Sequence, residues 1–126
     1  MTDLLSRDGA VDRIADLVAV PSDTLTTAVL PCASNATLDM LGVGEDAGYT
    51  SVRSQLGRLA NRRSAMRDVA CGGPTMIVIE DNGRESVEPL AELVRDLSTL
   101  RRHAVLLVVS TTGDPTRFDA VLPRAA

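Results

Sequence analysis

The sequence predicts an α/β domain: a small three-layer α/β/α fold around a mainly parallel sheet of about three strands. Three runs carry this expectation, Thr26 to Leu30, Met76 to Ile79 and Ala104 to Val109, because none of them alternates polar with apolar residues. A strand without alternation is buried on both faces, and covering both faces takes crossover helices and parallel neighbours. The intervening segments supply those helices, and 126 residues match one domain, residues 1–126, with a single core.

The first helix is expected from Leu4 to Val20, where Val11, Ile14, Leu17 and Val18 recur at helical spacing and Pro21 closes the segment. Pro21-Ser22-Asp23 turns the chain into the first strand, which Pro31 stops. A short helix can start between Ser34 and Leu41, and Gly42, Gly44 and Gly48 are expected to break it. Ser51 to Ala70 reads as a helix with Val52, Leu56, Leu59 and Met66 inward and Arg53, Arg58, Arg62 and Arg67 mostly in solvent. Gly72-Gly73-Pro74 loops into the second strand, which ends in Glu80-Asp81. Between Glu85 and Arg101, Leu90, Leu93, Val94, Leu97 and Leu100 trace the clearest amphipathic helix, with Pro89 tolerated in its first turn. The third strand follows, then the polar loop Ser110 to Pro115.

Composition removes several classes of function. The cationic residues are thirteen arginines with no lysine, so a P-loop lysine, a Schiff-base lysine and a lysine base are all excluded. A net charge of −4 and only two aromatic residues, Tyr49 and Phe118, argue against direct nucleic-acid binding, which needs clustered cations and stacking platforms. The longest apolar run falls far short of the roughly 20 residues that span a bilayer, and the first residues lack signal-peptide character, so no membrane partner and a cytoplasmic address are expected. Cys32 and Cys71 have no metal-ligand spacing and read as free thiols. His103 has no nucleophile motif near it, and Gly42 to Gly48 departs from the dinucleotide pattern by one place and follows no strand.

In parallel sheets, ligands bind at the carboxyl ends of the strands. Here those ends are Pro31 to Thr37, Glu80-Asp81 and Ser110 to Asp114, each polar where its strand stops being apolar. Two adjacent carboxylates at such an end can hold magnesium or act as acid and base.

Taken in order, these blocks resemble the core of AAA+ and signal-transducing (STAND) P-loop ATPases. Ser6-Arg7-Asp8-Gly9 and the helix after it are similar to the opening of that family, and Leu25 to Leu41 takes the place of its first strand, P-loop and helix. Met76 to Asp81 looks like a Walker B segment, and Val105 to Arg124 resembles the sensor strand and its sequel. The resemblance implies a reduced P-loop NTPase-like core with catalytic Glu80 and Asp81, ATP or ADP contacts from Asn35, Thr37 and Thr112, and magnesium ligands Thr37 and Glu80. The departures are as informative. In Leu30 to Thr37 only Thr37 fits the P-loop pattern, Asn35 replaces a glycine and Ala36 replaces the lysine, which takes away several kcal/mol of transition-state stabilisation.

A degenerate, non-hydrolysing ATPase domain is therefore expected, acting as a nucleotide-sensing or protein-interaction module of a regulator. Two alternatives stand beside it. One is a remnant of an FtsK-like or type VII secretion translocase ATPase, with Leu38 to Glu45 resembling linkers there. The other is a receiver-like phospho-acceptor domain with Asp81 as acceptor and Ser110 as the hydroxyl on the next strand, against which stand the missing lysine and the low strand count. No counterpart of the family's helical lid follows Arg124, so a protein partner or homo-oligomer is expected to cover the exposed sheet, with Phe118, Val121 and Leu122 near the contact.

Overall fold

The computed structural model describes residues 5–19, 25–33, 36–81, 83–100, 104–110 and 115–122. Its elements run α1 (Arg7–Ala19), β1 (Leu25–Leu30), α2 (Thr37–Asp46), β2 (Thr50–Gln55), α3 (Leu59–Cys71), β3 (Thr75–Asp81), α4 (Glu88–Thr99) and β4 (Ala104–Ser110), with 3-10 turns at Leu56–Arg58 and Pro115–Phe118. The four strands form one sheet in the order β1-β4-β3-β2, and every neighbouring pair is parallel. All seven residues of β4 and six of the seven in β3 are buried, as their unbroken apolar runs require.

Two cores sandwich the sheet. On one face Ala10, Ile14 and Val18 of α1 and Met40 of α2 pack against Met76, Val78, Val105, Leu107 and Val109. On the other, Leu59 and Met66 of α3 and Leu90, Leu93 and Leu97 of α4 cover Ile77, Ile79, Leu106 and Val108. Successive residues of β3 and β4 thus enter opposite cores, and the fold is the expected three-layer α/β/α arrangement.

Four points correct the expectations. The sheet has four strands, not three, because Thr50 to Gln55, of which Ser51 onward was expected in a helix, forms the edge strand β2. Its sequence, TSVRSQ, holds one apolar residue, so no run marks it; register with β3 makes it a strand, and the helix waits until Leu59. β1 is the other edge and is half-buried except at Leu30, where burial on both faces was expected. Gly42 and Gly44 do not stop α2, which runs on to Asp46. A Cβ on Gly44 would lie 2.6 Å from Met76 Cε, so this glycine lets the helix settle on β3. Finally, Phe118 is fully buried in the α3/α4 core, so the aromatic expected at a partner contact is a core residue of the domain itself. His103 lies outside the described residues.

Links between elements complete the frame. Tyr49 donates to Val18 O at 3.3 Å, and Arg7 pairs with Asp39 between α1 and α2, holding that carboxyl below its usual range. α2 ends at Asp46, and Gly48, just past its C-cap, has a φ of +91°, the left-handed conformation that a helix stop favours.

These two glycine environments predict opposite outcomes. Gly48→Ala should cost about 1–2 kcal/mol through its positive φ alone, since a Cβ there meets nothing within 4 Å. Gly42→Ala, equally open but inside α2, should gain about 0.5–1 kcal/mol. Urea unfolding reads both; a neutral Gly48→Ala would remove the conformational account of the helix stop.

Candidate functional site

The order β1-β4-β3-β2 fixes where a crevice can form. After β1 the chain passes into α2 on one face, whereas after β4 it passes to the turn holding Phe118 on the other face. Chains leaving neighbouring strands in opposite directions open a crevice at their carboxyl ends, the preferred ligand position in open α/β sheets. β1 and β4 are such neighbours, with Leu30 in register with Val109, and Ser110 lies beside Asp81 on the next strand. Among the described residues, the ends of β1, β4 and β3 therefore stand side by side at Leu30, Ser110 and Asp81.

Thr37 occupies the first turn of α2 at this crevice and is fully buried. Its hydroxyl has no hydrogen-bond partner among the described residues. A buried hydroxyl left without a partner costs on the order of 1–3 kcal/mol, which makes Thr37 the candidate group at this end of the sheet for receiving a ligand oxygen. α2 has no side-chain cap, which leaves first-turn N–H groups pointing to the same region. Asn35 and Thr112, expected to contact a nucleotide here, lie outside the described residues. Cys32, in the P-loop-like window, is fully buried, and burial pushes its thiol up to about 11, so it stays protonated at neutral pH and serves the core.

Glu80 and Asp81 are consecutive on β3 and project to opposite faces of the sheet. Glu80 forms an ion pair with Arg53 of β2. Asp81 is 1% exposed on the α3/α4 side, and its Oδ1 accepts from Gly83 N at 2.8 Å. The same oxygen lies 3.5 Å from Arg117 Nη2. Arg117 in turn donates from Nη1 to Gly83 O at 3.0 Å and from Nη2 to Glu85 O, with its guanidinium 5.2 Å from the Phe118 ring centroid. Asp81 and Arg117 thus clamp the connection between β3 and α4 onto the turn after β4.

Both arginines were missed as partners in the sequence. Arg53 sat in an expected helix, where it faced solvent, and Arg117 lies in a short 3-10 turn where no periodicity shows what a side chain touches. Among the described residues, Glu80 and Asp81 face apart and each is engaged by a guanidinium, so the two carboxylates do not converge on one ion. Among the described residues no group of three or more His, Cys, Asp or Glu could hold a metal, and no helix is long and apolar enough to cross a membrane.

Replacing Arg117 by methionine should lower unfolding stability by about 2 kcal/mol, because it takes the guanidinium away from the buried Asp81 carboxylate and from two backbone carbonyls. A change below about 0.5 kcal/mol in denaturant titration would show that Asp81 is held by other groups. No family model matches this chain, and no curated protein matches it in sequence.

Proposed function

We propose that this domain is a degenerate AAA+/STAND-like ATPase core that does not hydrolyse ATP and acts as a nucleotide-sensing module through which a regulator or a second protein is engaged. The observation that carries the reading is the buried, unpartnered Thr37 hydroxyl at the β1/β4 crevice, in the segment that resembles the P-loop. The state of the other resembled residues supports binding without turnover. The lysine is absent, and the Walker B-like carboxylates are occupied by Arg53 and Arg117.

What the chain's own groups do follows from this. Thr37 Oγ1 and the first N–H groups of α2 receive an anionic oxygen, and the helix dipole favours it. Among the described residues no cation is placed to neutralise charge developing on a transferring phosphoryl group, so in this reading bound nucleotide is kept rather than cleaved. Signalling to a partner would use β1. It is an edge strand without a charged residue, and beyond it the described residues supply only the isolated Leu5–Cys32 bridge just past its end. The receiver-like alternative gains nothing here, since Asp81 is buried under Arg117 where a phospho-acceptor must be reached.

Calorimetric titration with ADP and ATP should give binding that Thr37→Val weakens by about tenfold, the loss of one good hydrogen bond to a charged oxygen. Phosphate release should stay at background. A turnover of about one per second that disappears with Glu80→Gln or Asp81→Asn would overturn the proposal.

A further inference from the structure

At the opposite edge of the sheet from the β1/β4 crevice lies a second cleft, of about 170 Å³, lined by Arg53, Ser54, Gln55, Arg58, Arg62 and Glu80. It sits where β2 ends and the chain turns through Leu56–Arg58 into α3. Three guanidinia meet there in a protein whose net charge is −4. Glu80 offsets one of them through its ion pair with Arg53, whereas Arg58 and Arg62, one helical turn apart, have no ion-pair partner among the described residues.

Two features set this cleft apart from an ordinary solvated arginine face. First, the cations stand at the wrong end of a helix. α3 spans 13 residues, begins at Arg58 without a side-chain cap, and has no acidic residue in its first turn. The positive end of the helix dipole therefore adds to the positive charge of Arg58 and Arg62, an arrangement that costs stability until an anion relieves it. Second, Ser54 lines the cleft, is 7% exposed, and its hydroxyl has no hydrogen-bond partner among the described residues. An orphaned hydroxyl and surplus guanidinia in one concavity are complementary to the same ligand class.

We infer that this cleft binds a phosphoryl-type oxyanion, held by Arg58 and Arg62 with the Ser54 hydroxyl donating to a third oxygen. Guanidinium forks match tetrahedral oxyanions in a bidentate manner, which a carboxylate-lined or neutral pocket cannot do. Size limits the ligand. Sites for drug-sized molecules occupy roughly 300–1,000 Å³, so this cleft takes the phosphoryl group and leaves the rest of its carrier in solvent. The groups that hold the anion, Ser54, Arg58 and Arg62, take no part in the nucleotide reading, so the two can be right or wrong separately.

The test uses the full chain and two probes, inorganic phosphate and a short phosphoserine peptide, followed by titration of backbone amide shifts. Phosphate should move Ser54, Gln55 and the first turn of α3, with affinity falling as salt rises. Arg62→Gln, at an exposed position, should weaken binding about tenfold, Arg58→Gln with Arg62→Gln more, and Ser54→Ala several-fold, while Arg13→Gln on α1 should leave it unchanged. Tighter binding of the phosphoserine peptide than of phosphate would identify a phosphorylated protein as the carrier; equal affinity would mean that the site reads the phosphoryl group alone. Absence of shifts with both probes, or equal affinity in Arg62→Gln and the parent chain, would overturn the inference.

Discussion

β4 is buried along its whole length, and the rest of the structure is arranged to keep it so. Its two faces enter different cores, Val105, Leu107 and Val109 on one side and Leu106 and Val108 on the other, so helices must cover both. Its two edges are closed by β1 and β3 through parallel ladders. A strand satisfied in this way cannot be at an edge, and with one element at each flank the order of the sheet follows. At about 25 cal/mol per Å² of apolar surface, a strand with every side chain buried contributes more per residue than a half-buried edge strand such as β1.

The position of the crevice is a consequence of that constraint. β4 lies beside β1, and the elements that follow them, α2 and the turn holding Phe118, pack on opposite faces of the sheet. Thr37 is placed there by the start of α2, and Asp81 is placed one strand away by the register of β3 with β4. The same packing turns Asp81 toward the α3/α4 layer, where Arg117 pairs with it. A carboxylate that fastens a loop is poorly suited to activating water, since its charge is already compensated by a guanidinium. The proposed reading, a core that holds a ligand without transforming it, rests on this pairing of Asp81 with Arg117.

The sequence made the central part of this legible and the periphery less so. β3, β4 and α4 could be read because both-face burial and a strict helical period leave long, unmixed signals in Met76 to Ile79, Ala104 to Val109 and Leu90 to Leu97. β2 could not, since an edge strand borrows its conformation from its neighbour and its own residues, Thr50 to Gln55, are mostly polar. The continuation of α2 through Gly44 depends on Met76, which is distant in sequence. The roles of Arg53, Arg117 and Phe118 depend on the same kind of long-range contact, and the cleft around Arg58 and Ser54 exists only once β2 is a strand. Residue types marked the strand ends as candidate ligand positions; which carboxylate faces which layer needed the fold.

The most direct measurement of the central claim is an amide-shift map of the full chain during titration with ADP. Binding at the β1/β4 crevice predicts perturbations at Leu30, Ala36 and Thr37 on one side and at Val109 and Ser110 on the other, with Ser54 and Arg62 unmoved. Shifts confined to the Ser54–Arg62 edge, or none at saturating ADP, would contradict a nucleotide-sensing core.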